Sequence, residues 1–278
     1  MSDQTAPDAS SAATQGAVPQ EAARDDARTI RERLAQVTEN VRTASESAHD
    51  DPEAVRVMLA TKTQPAARIR VALQAGHTLI GENRVQELQA KAPELADIPH
   101  EPHLIGPLQR NKVNHTLRAG AVCVQSIDSL AVAQKLSDRI AALAAEGHEA
   151  LVTEAPGTLH AAADAPLLGV LLQVNTSRED SKFGVTPDAA EELAEQVREL
   201  PHLRIRGLMT IGFPGTSDEE IRPSYAELRE LSARLRETGV LPEGATDLSM
   251  GMSADYALAI EEGATIVRVG STIFGARG

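Results

Sequence analysis

A lysine, an arginine and two glycine–serine turns are the residues of this chain whose types and positions can do chemistry together. Lys62 follows the run Val55–Thr61, whose one charge is Arg56. An amine delivered by an apolar run can attack a carbonyl and form a Schiff base, a step favoured where desolvation or a nearby cation such as Arg268 keeps the amine unprotonated. Taken singly, a lysine after a strand is an ordinary solvated loop residue. Arg268 lies inside the apolar run Thr265–Val269. Burial without a partner would be costly, so it reads either as half of a structural ion pair or as a donor to a ligand heteroatom. The turns are Ser249-Met250-Gly251-Met252-Ser253 and Gly270-Ser271-Thr272. Gly251 and Gly270 would let the backbone approach an anion, while Ser253, Ser271 and Thr272 add hydroxyl donors, which is the chemistry of a phosphate cup. Ser253 also precedes the helical pattern Ala254–Glu262, where its hydroxyl would cap the helix. Either turn alone is what glycine and serine make without any ligand; the two together favour phosphate.

These residues come from opposite ends of the chain, so the fold must bring them together. Aliphatic runs alternate with helical patterns: Val55–Thr61, Thr78–Gly81, His103–Ile105, Val122–Gln125, Leu167–Val174, Ile205–Ile211, Thr246–Met250 and Thr265–Val269. Several are apolar nearly throughout, as parallel strands covered on both faces are. Between them Leu136, Ile140 and Leu143 share one helical face, as do Leu193, Val197 and Leu200. Ser217 with Glu220 has capping-box spacing, and Thr186-Pro187 suits a helix start. Eight such units in about 250 residues predict an α/β fold, a single (β/α)8 TIM-type barrel, with an extra N-terminal helix over Ala27–Ala48. An open doubly wound sheet is the alternative, but no run is followed by its G-x-G-x-x-G turn. In a barrel the reactive groups sit where strands end. That rule selects Lys62 after the first run, Glu82 and Asn83 after the second, Gly106 after the third and Asn175 after the fifth. Met209 and Thr210 end the sixth, and the two turns follow the seventh and eighth, where barrels often hold phosphate. A Schiff-base lysine, a phosphate cup and an arginine for a ring nitrogen together point to pyridoxal 5'-phosphate (PLP) as the cofactor.

Composition narrows the alternatives. The 278 residues are 42% hydrophobic and 24% charged, which is ordinary for a globular chain with a large core. Three Phe, two Tyr and no Trp make that core aliphatic and leave almost no rings on which single-stranded nucleic acid could stack. A net charge of −13 argues against any phosphate-backbone binder, so no nucleic-acid partner is expected. The one cysteine, Cys123, excludes an intrachain disulfide and a Cys-rich zinc site, and reads as an inert core thiol. His100 and His103 read as loop residues without metal-ligand companions, so no metal is expected. Gly106–Lys112 resembles a P-loop superficially, lacking the Gly before Lys and the Ser or Thr after it. No apolar run approaches a membrane span and the N-terminus lacks the basic-then-apolar order of a signal peptide, which predicts a soluble cytoplasmic protein. Residues 1–27 are expected to be a disordered tail, 149–166 a surface insertion, and 28–278 one PLP-binding barrel.

The stretches LATKTQP (59–65), GENRVQE (81–87), HLIGPLQRNK (103–112), LLQVNTSREDSKFG (171–184), IRGLMTI (205–211), LSMGMSADY (248–256) and VRVGSTIFGAR (267–277) resemble the pyridoxal phosphate homeostasis proteins, a family similar to the N-terminal barrel domain of alanine racemase. They run in order from about residue 30 onward, leaving the tail and the 149–166 insertion unmatched. The resemblance implies that Lys62 carries PLP as an aldimine, that Ser253, Gly270 and Ser271 hold the phosphate, and that Arg268 faces the pyridine nitrogen. Asn83, Asn175 and Met209 would line the pocket. Family members commonly have Lys where Gln64 stands, which puts a second-lysine role there in doubt, and Thr where Ser271 stands, which keeps the hydroxyl.

Two functions compete. One is a PLP-dependent amino-acid racemase or related enzyme; the other is a protein that holds, buffers or delivers PLP within the cell, with apo PLP-dependent enzymes as recipients. Racemisation needs acid/base groups on both faces of the substrate, and alanine racemases take one from a tyrosine of a second, β-rich domain. The chain ends at Gly278 just after IFGAR, so that domain is expected to be absent. Tyr225 and Tyr256 sit in helical patterns, and an arginine at the pyridine nitrogen leaves the ring a weaker electron sink. The expectation is a monomeric PLP-binding regulator without robust turnover.

Overall fold

The computed structural model describes residues 20–146, 167–179 and 182–275. Its strands are β1 (Arg56–Ala60), β2 (Leu79–Glu82), β3 (Glu101–Leu104), β4 (Cys123–Ile127), β5 (Leu168–Gln173), β6 (Leu203–Met209), β7 (Asp247–Met252) and β8 (Ile266–Val269). They pair in parallel in sequence order, and β8 returns to β1, closing the barrel. All eight predicted runs are strands, displaced by no more than a few residues. Their outward side chains, among them Leu59, Ile80, Val124, Val170 and Leu208, join one aliphatic core with the surrounding helices.

The helices are α1 (Gln20–His49), α2 (Ala66–Gln74), α3 (Val85–Leu95), α4 (Val113–Arg118), α5 (Leu130–Ala145), α6 (Ala190–Arg198), α7 (Asp218–Glu237), α8 (Tyr256–Glu261) and α9 (Ser271–Phe274). The capping box forms: the Glu220 carboxylate accepts the Thr216 and Ser217 N–H groups at 2.8 and 3.3 Å. The helix after β8 is a single turn, and α1 packs on α2, α8 and α9 to cover that side of the barrel with Ile30, Leu34, Val37 and Val41. Helix α1 begins at Gln20, so 20–27 is helical where a tail was expected. A contact remote in sequence favours this start, because Asp26 accepts two hydrogen bonds from Arg68, each 2.8 Å. Residues 1–19 and the expected insertion at 149–166 lie outside the described residues.

The barrel interior is unusually polar for a fold whose inner layers are commonly branched aliphatics. Two ion pairs lie near the strand N-termini, Arg56–Glu101 at 2.6 Å and Arg206–Asp247 at 2.9 Å. His103 is not in a loop. It lies in β3, fully buried, and Gln125 Nε2 donates to its Nδ1 at 2.9 Å. Cys123 is buried beside Leu171 and Met209, and burial pushes its thiol up to about 12.

Burial, reinforced by Arg206 and Arg56, holds the His103 pKa well below that of a free imidazole. The folded state therefore keeps a neutral ring while the unfolded chain takes up a proton near pH 6.5. This contribution to stability is complete above that pH and is lost as the pH falls through it. Between pH 7.5 and 5.5 His103 should remove about 1 kcal/mol of unfolding free energy. Urea unfolding at the two pH values should show a smaller loss in His103→Gln than in the parent; equal losses would contradict the assignment.

Candidate active site

The strand register decides what meets at the C-terminal mouth. Leu59 pairs with Ile80 and Ala60 with Gly81, so continuing the register sets Lys62 beside Asn83. Leu59 also pairs with Val269, which sets Ala60 beside Gly270. The mouth holds a cavity of about 720 Å³, within the range of small-molecule sites. Lys62, Asn83, Met209, Ser253, Arg268, Gly270 and Ser271 line it.

Two expected residues, Asn175 and Thr272, are not among those lining the cavity. The Asn175 carboxamide is committed to its own loop: Nδ2 donates to the Glu179 carbonyl at 2.9 Å and Oδ1 accepts from Ser177 at 2.8 Å. Thr272 is exposed on α9. Sequence reasoning also passed over Thr63, Ile105, Ile211 and Met252, which line the cavity, and treated Gln64 as a departure when it is part of the wall. Each adjoins a strand end, which is the signal that could have found them. The Gln64 side-chain Oε1 accepts from Arg68 at 2.5 Å, which fixes its side chain.

Arg268 is 6% exposed and forms no ion pair among the described residues, so the structural ion pair does not occur. Its guanidinium donates to Ser249 Oγ at 2.8 Å and to the Thr210 carbonyl at 2.7 Å. Ser249 in turn donates to Gln125 Oε1 at 2.7 Å, which links the cavity floor to His103 through three side chains. Burial pushes Arg268 down to about 10, so it stays protonated at neutral pH. Lys62 is half-buried and has no hydrogen-bond or ion-pair partner among the described residues. No Asp or Glu lines the cavity among the described residues. Two basic side chains with no carboxylate among the described lining residues, in a chain of net charge −13, give this cavity the lining that suits an anion.

The two turns meet, but not as the sequence predicts in detail. Asp255, rather than Ser253, stands at the start of α8, and its Oδ1 accepts the Met252 N–H at 2.6 Å. Ser253 Oγ accepts the Gly270 N–H at 3.2 Å instead, joining the loops after β7 and β8. Gly251 has φ +85 within an irregularity of the β7–β8 ladder, and a Cβ there would lie 2.5 Å from that of Ala259. A Cβ on Gly270 would lie 2.6 Å from the Ala60 carbonyl oxygen. Both glycines are therefore required by protein neighbours, whatever ligand occupies the cavity. The tyrosines turn elsewhere: Tyr225 donates to Asp255 at 2.9 Å, and the Tyr256 hydroxyl accepts from Asn40 of α1 at 3.3 Å.

Residues 33–278 match the family described as alanine racemase, N-terminal domain. A pyridoxal phosphate homeostasis protein of Pseudomonas aeruginosa is 41% identical over 249 residues, covering 90% of this chain and 96% of that one. The chain belongs to the pyridoxal phosphate homeostasis protein family. Another protein similar to this family member is PipY of Synechococcus elongatus PCC7942, whose structure has PLP bound. It is 32% identical with a TM-score of 0.70, covering 88% of this chain and 100% of that one. An alanine racemase of Corynebacterium glutamicum, 16% identical with a TM-score of 0.57, shares the fold over 88% of this chain and 62% of its own.

Gly270→Ala should lower stability by about 1–3 kcal/mol, since the clash is with backbone and cannot be relieved by a rotamer change. The urea midpoint measures this, and an unchanged midpoint would contradict the close approach of β8 to β1.

Proposed function

We propose that this protein binds PLP in the cavity at the barrel mouth and serves intracellular PLP homeostasis, holding the cofactor and passing it on. The observation that carries this reading is that, among the described residues, a lysine without a hydrogen-bond or ion-pair partner and a buried arginine without an ion pair share a cavity wall that has no carboxylate. The donor set fits the group: Lys62 for the aldehyde, Arg268 for the pyridine nitrogen, and Ser253, Ser271 and the N–H groups opening α9 for the phosphate. Asn83 and Met209 would flank the ring. PLP supplies an aldehyde for amine capture and an electron-withdrawing ring.

The chain's own residues favour retention over turnover. Arg268 remains a donor at neutral pH and does not readily surrender its proton, so an acceptor at the ring nitrogen stays unprotonated. Neither tyrosine hydroxyl is available as an acid/base group, each being engaged away from the cavity lining. Under this reading the protein works as a cytoplasmic monomer with apo PLP-dependent enzymes as recipients. No helix among the described residues is long and apolar enough to cross a membrane.

Protein incubated with PLP should absorb in the visible, and borohydride followed by peptide mapping should place the label on Lys62. Lys62→Ala should lose the band, whereas labelling at Lys112 or Lys182 would overturn the assignment. Replacing both Ser253 and Ser271 by Ala should weaken PLP binding by ~1–3 kcal/mol, the usual cost of stranding a charged hydrogen-bond partner; unchanged affinity would place the phosphate elsewhere. With L- and D-alanine, serine or threonine in deuterated water, Cα exchange at ordinary enzymatic rates, ~1–10³ s⁻¹, would overturn the homeostasis reading in favour of an amino-acid enzyme.

A further inference from the structure

Behind the barrel wall, Lys62 is flanked on both sides by one ionic cluster that takes no part in the cavity lining. On the near side, the Thr61 N–H donates to the Gly81 carbonyl at 3.0 Å and its hydroxyl to Glu82 Oε1 at 2.5 Å. The Thr61 carbonyl accepts from Lys91 Nζ at 2.9 Å. On the far side the Thr63 N–H donates to Glu87 Oε2 at 2.6 Å. Lys91 of α3 ties the two halves together, its Nζ lying 2.7 Å from Glu82 and 3.2 Å from Glu87. Glu82 is fully buried and Lys91 nearly so, between strand β2 and its helix.

Thr63 carries the strain that this cluster would hold. Its φ is +61, a left-handed conformation that a β-branched residue adopts only where its surroundings impose it. The Gln64 N–H closes the turn on the Thr61 carbonyl at 3.0 Å, and the bond from the Thr63 N–H to Glu87 is the side-chain contact that fixes the peptide inside it. Burial raises the Glu87 carboxyl, but the Thr63 N–H and the Lys91 ammonium outweigh that effect and lower its pKa, which keeps the acceptor charged. A buried ion pair contributes little net stability compared with apolar packing, so its use here is geometric.

We propose that Glu87, anchored by Lys91 and Glu82, is a positioning residue for Lys62: it holds the strained turn at Thr63 that keeps the lysine amine facing the cavity. This rests on Lys62 being the PLP lysine. Glycine adopts positive φ without penalty, so a glycine at position 63 should make the turn independent of Glu87.

The test measures PLP affinity and the wavelength of the visible band, with thermal unfolding of the apo-protein as the check on folding, in Glu87→Ala, Glu87→Gln and Glu87→Ala combined with Thr63→Gly. Glu87→Ala should weaken PLP binding about tenfold and shift the band, the loss expected from releasing one strained residue. Glu87→Gln keeps an acceptor oxygen and should lose less, and adding Thr63→Gly to Glu87→Ala should recover most of the affinity. If Glu87→Ala does not fold, Glu87→Gln with and without Thr63→Gly makes the same comparison. Affinity equal to the parent's in Glu87→Ala, or no recovery on adding Thr63→Gly, overturns the positioning role alone. A parent protein that takes up no PLP overturns the functional reading, and this proposal with it.

Discussion

A guanidinium buried in the barrel wall with no ion-pair partner among the described residues is the constraint on which the rest of the site depends. Removing Arg268 from water is expensive, and the usual remedy, a paired acid, is not used. The barrel supplies neutral acceptors instead, the Ser249 hydroxyl and the Thr210 carbonyl. Ser249 is then obliged to donate onward to Gln125, and Gln125 to His103. That chain of neutral acceptors runs from the cavity floor into the polar inner layer and ends on the His103 ring. The remaining stabilisation is left to an anionic or hydrogen-bond-accepting ligand.

Parallel closure then sets the distances at the mouth. Because β1 pairs with both β2 and β8, the residues after it stand between Asn83 on one side and Gly270 on the other. The loops after β7 and β8 are stitched by the Ser253–Gly270 hydrogen bond, which brings two hydroxyls to one side of the cavity and leaves Lys62, in the turn after β1, to reach in from the wall. Helix α1, tied to α2 through Asp26 and Arg68, covers the outside of that same seam, and Arg68 also reaches the Phe274 carbonyl and Gln64.

Much of this was legible in the sequence, for a physical reason. Strands buried on both faces read as continuous aliphatic runs, so the eight units and their ends stood out, and seven of the nine expected residues line one cavity. The failures share a cause. A strand-end rule gives a residue's place but not the partner its side chain prefers, which is why Asn175 turned into its own loop and Ser253 bonded across to Gly270 while Asp255 took the start of α8. His103 was read as a loop residue although it opens the third run, because the partner that accommodates its ring inside the barrel, Gln125, stands on the next strand. The early start of α1 depends on a partner far along the chain, which no local pattern contains.

A crystal structure of the protein grown with PLP tests the central claim most directly. The account predicts density continuous with the Lys62 side chain, the ring nitrogen against Arg268, and the phosphate between Ser253 and Ser271. PLP bound at another lysine, or a phosphate at the opposite side of the cavity with Arg268 left without an acceptor, would contradict it.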